Sequence, residues 1–264
     1  MLYIYMNTNG RQINNKDRLF FLATIEDLNL EYKILGDMTR QYVNKDDIIF
    51  LYSSDTGFEE DYNRNLDSTN IIPSTNKVSN LDNKLKFSQY CKVNNLQHPE
   101  IYNKEIKYPL VFKPIVGSLG ENVMLCTDKV ELKTAIDNFK GDYILQQFID
   151  TGKFASKYRI IFFKDEVILK YKDTNYDKTS IISNLEVGSK VDFEDIPFDC
   201  TEVLKEFRKG TDLLFGCLDI LVDSKGNVYY LEVNSIAKLY RISNLVKRNI
   251  YKELFKKLLD NQYI

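Results

Sequence analysis

The chain has 264 residues, 44% of them hydrophobic and 28% charged, which is enough to bury a sizeable core without disulfide or metal staples. With 36 Lys and Arg against 38 Asp and Glu, the net charge of −2 excludes polyanion binding by bulk charge, so no nucleic-acid partner is expected. One histidine, His98, excludes multi-histidine zinc sites, and Cys91, Cys126, Cys200 and Cys217 lack any Cys-x-x-Cys spacing and read as reduced, semi-buried thiols.

No apolar run approaches the ~18 residues of a membrane span, and MLYIYMNTNG lacks a basic segment ahead of its apolar residues. A cytoplasmic location without membrane contact is the expectation. The run LYIYM reads as a strand, Arg18 to Leu30 as a helix, and YKIL and DIIFLYSS as further strands, a small α/β unit with parallel pairing. Neither G-x-G-x-x-G nor G-x-x-x-x-G-K-[ST] occurs. Asp55 to Asn83, polar and Asn-rich, reads as a linker.

LDNKLKFSQYCKVNNL is helix-like and ends before Pro99. YPLVFKPIVG and ENVMLC read as strands around a loop of small residues, and Lys129 to Phe139 as a helix stopped by Gly141. YILQQFI, KYRIIFF and EVILKYK follow as strands, then a polar loop from Asp173 to Ser189 and a helix from Glu202 to Leu214. GCLDILVDSKGNVYYLEVNS reads as a hairpin, and Arg241 to Leu259 as one basic amphipathic helix docked on the protein.

Two segments carry chemistry. If Asp223 faces Val228 across the hairpin turn, Asp219 falls opposite Glu232, and one face carries Asp219, Glu232 and Asn234. The other face, Leu218, Ile220, Val222, Tyr229, Leu231 and Val233, must be core. Oxygen-only ligands of this kind suit a hard cation such as Mg²⁺, and the same pattern also fits the solvated side of an ordinary hairpin. In LVFKPIVGSLGENV, Lys113 ends a strand before Gly117-Ser118-Leu119-Gly120, where backbone N–H groups could approach an anion closely. A plain turn beside a snorkelling lysine fits those residues too.

In order and spacing, Asp82 to Asn234 resembles the ATP-grasp carboxylate–amine ligases, nearest the ribosomal-protein glutamate ligases and the peptide-crosslinking ligases. The resemblance implies an α/β fold of three subdomains: residues 1–80, an N-terminal α/β subdomain; 81–142, a central lid with the glycine loop; and 143–264, a C-terminal subdomain. ATP is then clasped between the last two sheets. It implies phosphate contacts at Lys84, Lys113, Gly117, Ser118, Gly120, Lys172 and Asn184, and adenine contacts at Gln147, Phe148 and Ile149. It gives Asp219, Glu232 and Asn234 two Mg²⁺ ions, with Mn²⁺ as a substitute, and gives Arg159 and Lys113 the catalytic roles.

The implied reaction is ADP-forming: ATP activates a carboxylate as an acyl phosphate and an amine displaces phosphate. The expected substrate is an amino acid or a peptide, such as a small precursor peptide, and the default assembly is a homodimer. The alternatives are a non-catalytic ATP-binding regulatory module and a small-molecule biosynthetic ligase of the same superfamily. Departures from the family pattern are Asn122 at the third loop glycine, Lys157 where an acidic residue often holds the ribose, Ile182 for an arginine, and Ser235-Ile236-Ala237-Lys238 after the metal motif. With Lys157 at that position, the resemblance leaves the ribose contact open, with Asp150 as a candidate substitute.

Overall fold

The computed structural model describes residues 1–6, 15–35, 46–52, 71–72, 81–115, 117, 120–185, 188–193, 196–235 and 238–264. They form two compact units, one of Met1–Ser79, Thr211–Gly216 and Ser235–Ile264, the other of Asn80–Gly210 and Cys217–Asn234. Among the described residues no helix is long and apolar enough to cross a membrane.

The first unit is built on a parallel sheet of β1 (Leu2–Tyr5), β2 (Tyr32–Leu35), β3 (Ile48–Leu51) and β4 (Ile71–Ile72), in the order β2-β1-β3-β4. Strands β1 and β3 are almost wholly buried, which explains why they read as unbroken apolar runs rather than as alternating ones. Helix α1 (Asn15–Asp27) places Phe21 and Ile25 in the core with no exposed surface. Phe21, Phe50 and Phe255 form the centre of that core, with ring centroids 5.1–5.6 Å apart. Strand β4 lies inside the stretch expected as linker, where two buried isoleucines are too short a signal to stand out. The rest of that stretch, to residue 80, is outside the described residues.

The second unit contains two sheets. The smaller has β5 (Leu110–Pro114) between β6 (Met124–Cys126) and β7 (Tyr143–Gln147), both antiparallel to it. Its core combines Leu110, Phe112 and Cys126 with Leu132 and Ala135 of α3 (Lys129–Asn138), a helix capped by the Asp128 carboxylate. The larger sheet has the order β10-β9-β8-β11-β12, from β8 (Ala155–Phe163), β9 (Glu166–Asn175), β10 (Lys190–Asp192), β11 (Phe215–Val222) and β12 (Val228–Asn234). Helices α2 (Lys84–Val93) and α4 (Cys200–Arg208) contribute Phe87 and Phe207 to the apolar side, where Phe162 meets Phe207 edge-on at 5.8 Å.

Three expectations are corrected. Helix α4 stops at Arg208, not Leu214, because Gly210 sits against Asn94: a Cβ there would lie 2.2 Å from Asn94 Oδ1. The C-terminal tail is two helices, α5 (Tyr240–Val246) and α6 (Ile250–Asp260), separated by Lys247 in the left-handed conformation (φ 53°) and by the Asn249 cap. Asp173 is not the start of a loop but a strand residue, since β9 runs to Asn175.

Candidate nucleotide site

The hairpin β11–β12 does place Asp219 opposite Glu232, and it pairs Cys217 with Asn234, by a route the spacing did not reveal. The turn pairs Val222 with Val228, one residue out of the expected register, and a β-bulge between Asp219 and Ile220 restores it. The bulge moves Tyr230, 6% exposed, onto the core face in place of Leu231 and Tyr229. The Tyr230 hydroxyl donates to Val203 O at 3.0 Å and its N–H to Gln97 O at 2.8 Å.

Strand register decides what shares the carboxylate face. In β8–β9, Lys157 lies opposite Asp173 and Arg159 opposite Tyr171. Lys157 Nζ donates to Asp219 Oδ2 at 2.7 Å and Arg159 to the same oxygen at 3.1 Å. Asp219 has no exposed surface, and the Cys217 thiol lies 3.6 Å from its Oδ1. Lys84, on the first turn of α2, reaches Glu232 at 3.7 Å and donates to Gly117 O at 3.1 Å, so one ammonium ties the glycine loop to the hairpin.

These charges set one another's proton affinity. Burial lowers Lys113 to about 8, with Glu232 and Asp219 pulling against it and Lys84 and Lys157 adding to the effect. Burial pushes Glu232 up, but Lys84, Lys157, Lys113 and Arg159 together hold it well below the usual carboxylate range. Burial opposes the charge on Arg159, and Asp219 nevertheless raises it well above its ordinary value. Asp173 is raised by burial against the pull of Arg159 and Lys157. Burial and Asp219 push Cys217 up to about 12, which leaves it no thiolate character.

Four cations, Lys84, Lys113, Lys157 and Arg159, therefore share this end of the larger sheet with three carboxylates, Asp173, Asp219 and Glu232, and the surplus is positive. Such a cluster is a receptor for anions, and it relieves its own lysine–lysine repulsion when a polyphosphate enters. Two buried polar atoms on this face, Arg159 Nε and Asp173 Oδ1, have no hydrogen-bond partner among the described residues.

The other expected residues are distributed as follows. Gly120 adopts a left-handed conformation (φ 75°) and packs on Ile182, whose Cγ2 would lie 2.7 Å from an added Cβ; Asn122 (φ 58°) takes the left-handed geometry in glycine's stead. Ser118 lies outside the described residues. The Gln147 N–H donates to Glu100 O at 2.7 Å and its Oε1 accepts from Glu100 N at 3.2 Å, so its own N–H is engaged within the protein. The Asn184 segment is pinned to the site face, where Leu185 N donates to Asp173 Oδ2 at 3.1 Å and Asn184 N to Ser189 Oγ at 2.8 Å.

Lys172 is not brought to the cluster. Paired with Tyr158, it sits on the opposite face with its ammonium 5.5 Å from the Tyr158 ring, and lines a pocket of about 670 Å³ with Lys153 and Lys190. Sequence reasoning missed Lys157 as a partner of Asp219, and missed Tyr171 and Asp173. Aligning β8 with β9 about the Lys164-Asp165 turn would not have found them, because a register shift between Ile161 and Phe162 brings Tyr171 and Asp173, rather than Lys170 and Lys172, opposite Arg159 and Lys157. His98 is hydrogen-bonded to Ser88 at 2.7 Å, away from this cluster, and its pKa is lowered by burial.

The family resemblance implies divalent ions at this hairpin, and the residues fit that role only in part. Glu232 and Asn234 share the face and keep some exposure. The Oδ2 of Asp219 already accepts from both Lys157 and Arg159. Among the described residues no group of three or more His, Cys, Asp or Glu is placed to share one ion.

Known proteins bear the same architecture. The chain is 25% identical over 209 residues to the uncharacterized protein MG012 of Mycoplasma genitalium, covering 70% of this chain and 72% of that one. It is 24% identical over 213 residues to the tetrahydromethanopterin:α-L-glutamate ligase of Methanocaldococcus jannaschii, covering 73% and 72%. The structure of the D-alanine–D-alanine ligase of Bacillus anthracis in complex with ATP matches with a TM-score of 0.66 at 12% identity, over 98% of this chain and 96% of its own. The RimK-like ATP-grasp domain matches residues 83–258, more than half of the chain and the whole of the charged cluster, and the protein belongs to that family.

Proposed function

We propose that the protein is an ADP-forming carboxylate–amine ligase whose substrate is an amino acid or a peptide. The observation that carries this reading is the positive surplus around Asp219 and Glu232, tied through Lys84 to the carbonyl of Gly117. That arrangement suits a triphosphate whose terminal phosphoryl group must be held and neutralised while it is transferred.

The chain's own groups account for most of the chemistry. Lys113, buried and close to Lys84 and Lys157, has much to gain from a phosphate oxygen. Lys84 meets charge developing on the phosphoryl group and fixes the loop at Gly117. A carboxylate attacks the terminal phosphorus, ADP leaves, and the acyl phosphate is then opened at its carbonyl carbon by an amine, releasing phosphate. Arg159, with its Nε–H unspent, is placed to hold the substrate carboxylate or the acyl phosphate. The glycine loop excludes water from the intermediate. A divalent ion on Glu232 and Asn234 would add neutralisation of phosphate oxygens. No cysteine or histidine nucleophile is needed, in keeping with the raised Cys217.

Support for an amino-acid substrate comes from two relatives whose names describe the ligation of glutamate and of D-alanine. A second reading, a nucleotide-binding module without turnover, draws on the ion pair that occupies Asp219. Product analysis separates them. Incubation with Mg²⁺-ATP and panels of amino acids and short peptides is expected to release ADP and phosphate in a substrate-dependent manner. AMP and pyrophosphate would overturn the acyl-phosphate route, and nucleotide binding with no turnover across the panel would favour the second reading.

A further inference from the structure

Asp219 stands where a divalent ion would be held, yet every contact made by its carboxylate is with a donor. Its Oδ2 accepts from Lys157 at 2.7 Å and from Arg159 at 3.1 Å, and the thiol of Cys217 faces its Oδ1 at 3.6 Å. A divalent ion bound at about 2.1 Å to either oxygen would stand against an ammonium and a guanidinium at close range, without water to screen them. Lys157 is 7% exposed and lies in β8 opposite Asp173, which keeps its ammonium on the buried face beside Asp219.

We propose that Lys157 is a built-in counter-cation that takes the place of one divalent ion at Asp219, so that the protein holds its nucleotide with a single divalent ion, on Glu232 and Asn234. The inference rests on the nucleotide-binding reading above, and its test separates the two.

Electron paramagnetic resonance counts Mn²⁺ bound to the full-length protein saturated with a non-hydrolysable ATP analogue, while equilibrium dialysis counts the analogue in the same samples. One Mn²⁺ per bound nucleotide is expected for the wild type and for Lys157→Arg, and two for Lys157→Met, which keeps the length and loses the charge. Near-UV circular dichroism establishes that each variant is folded, and Lys157→Gln replaces Lys157→Met, with the same expected count, if the latter is not. Two Mn²⁺ in the wild type would overturn the proposal, as would a single Mn²⁺ in the folded, uncharged variant. Failure of the analogue to bind at any Mn²⁺ concentration would instead overturn the nucleotide-binding reading, and this inference with it.

Discussion

Tyr251 donates its hydroxyl to Asp17 Oδ2 at 2.8 Å, joining helices 234 residues apart in the chain. Asp17 is 2% exposed; the Tyr52 hydroxyl reaches the same oxygen, and Tyr240 N–H donates to the other at 2.8 Å. Burial and the carboxylate push both tyrosine hydroxyls up, so they remain donors across the physiological pH range. Removing one donor leaves a buried charge less solvated. Tyr251→Phe should lose about 1–3 kcal/mol of stability, read as a lower urea midpoint at unchanged slope. An unshifted midpoint would show that the bond adds nothing net.

Lys113 gives nucleotide affinity a pH dependence. Its charge is present below about 8 and lost above it. Affinity for ATP should be flat near pH 7 and fall as pH rises through 8, by up to about tenfold per pH unit. Folding moves the other way: the folded-state pKa lies below the unfolded one, so stability rises with pH from about 8 toward 10.5. Isothermal titration at pH 7 and pH 9 checks the first statement, and Lys113→Met should flatten the slope.

Glu232 has the opposite sign. Its folded-state pKa is held below the unfolded value, so its stabilisation is present above about 4.5 and is lost as pH falls below that. Glu232→Gln should remove part of the acid-induced loss of stability between pH 4.5 and pH 3. It should also leave Lys84 and Lys113 less compensated, lowering the midpoint of the Lys113 titration below about 8. Thermal melts across pH, compared between the two proteins, measure the first effect.

Gly120 is constrained twice, by its positive φ of 75° and by Ile182 at 2.7 Å from any added Cβ. Gly120→Ala should cost about 1–2 kcal/mol locally from backbone strain alone and weaken ATP binding. Pairing it with Ile182→Ala should recover the steric part and not the backbone part. A double-mutant cycle on ATP affinity reads the difference, and strict additivity would mean that the two residues do not touch.

Much of this was legible because local chemistry is strong at the relevant points. The apolar runs of β1 and β3 and the Lys113 strand followed by glycines announce themselves. The pairing of Asp219 with Glu232 was read from a turn register that proved one residue out, and it survived because the bulge compensates. The break at Lys247 was hidden because a lysine in left-handed geometry leaves no compositional mark. Lys172 is implied by the family resemblance but faces away from the cluster, since adjacent strand residues face opposite sides and only the pairing of β9 with β8 decides which. The Lys157–Asp219 pair joins strands 62 residues apart, and no local pattern encodes it.

The extra residue in β12 is also a form of error tolerance. Leu231 is the residue the ladder skips, so deleting it would join the Ile220–Tyr230 pair directly to the Asp219–Glu232 pair and leave Glu232 and Asn234 in alternation with Asp219. Shortening at 231 is therefore the conservative way to straighten the ribbon, and switching the cluster off requires substituting Glu232 or Asn234 themselves.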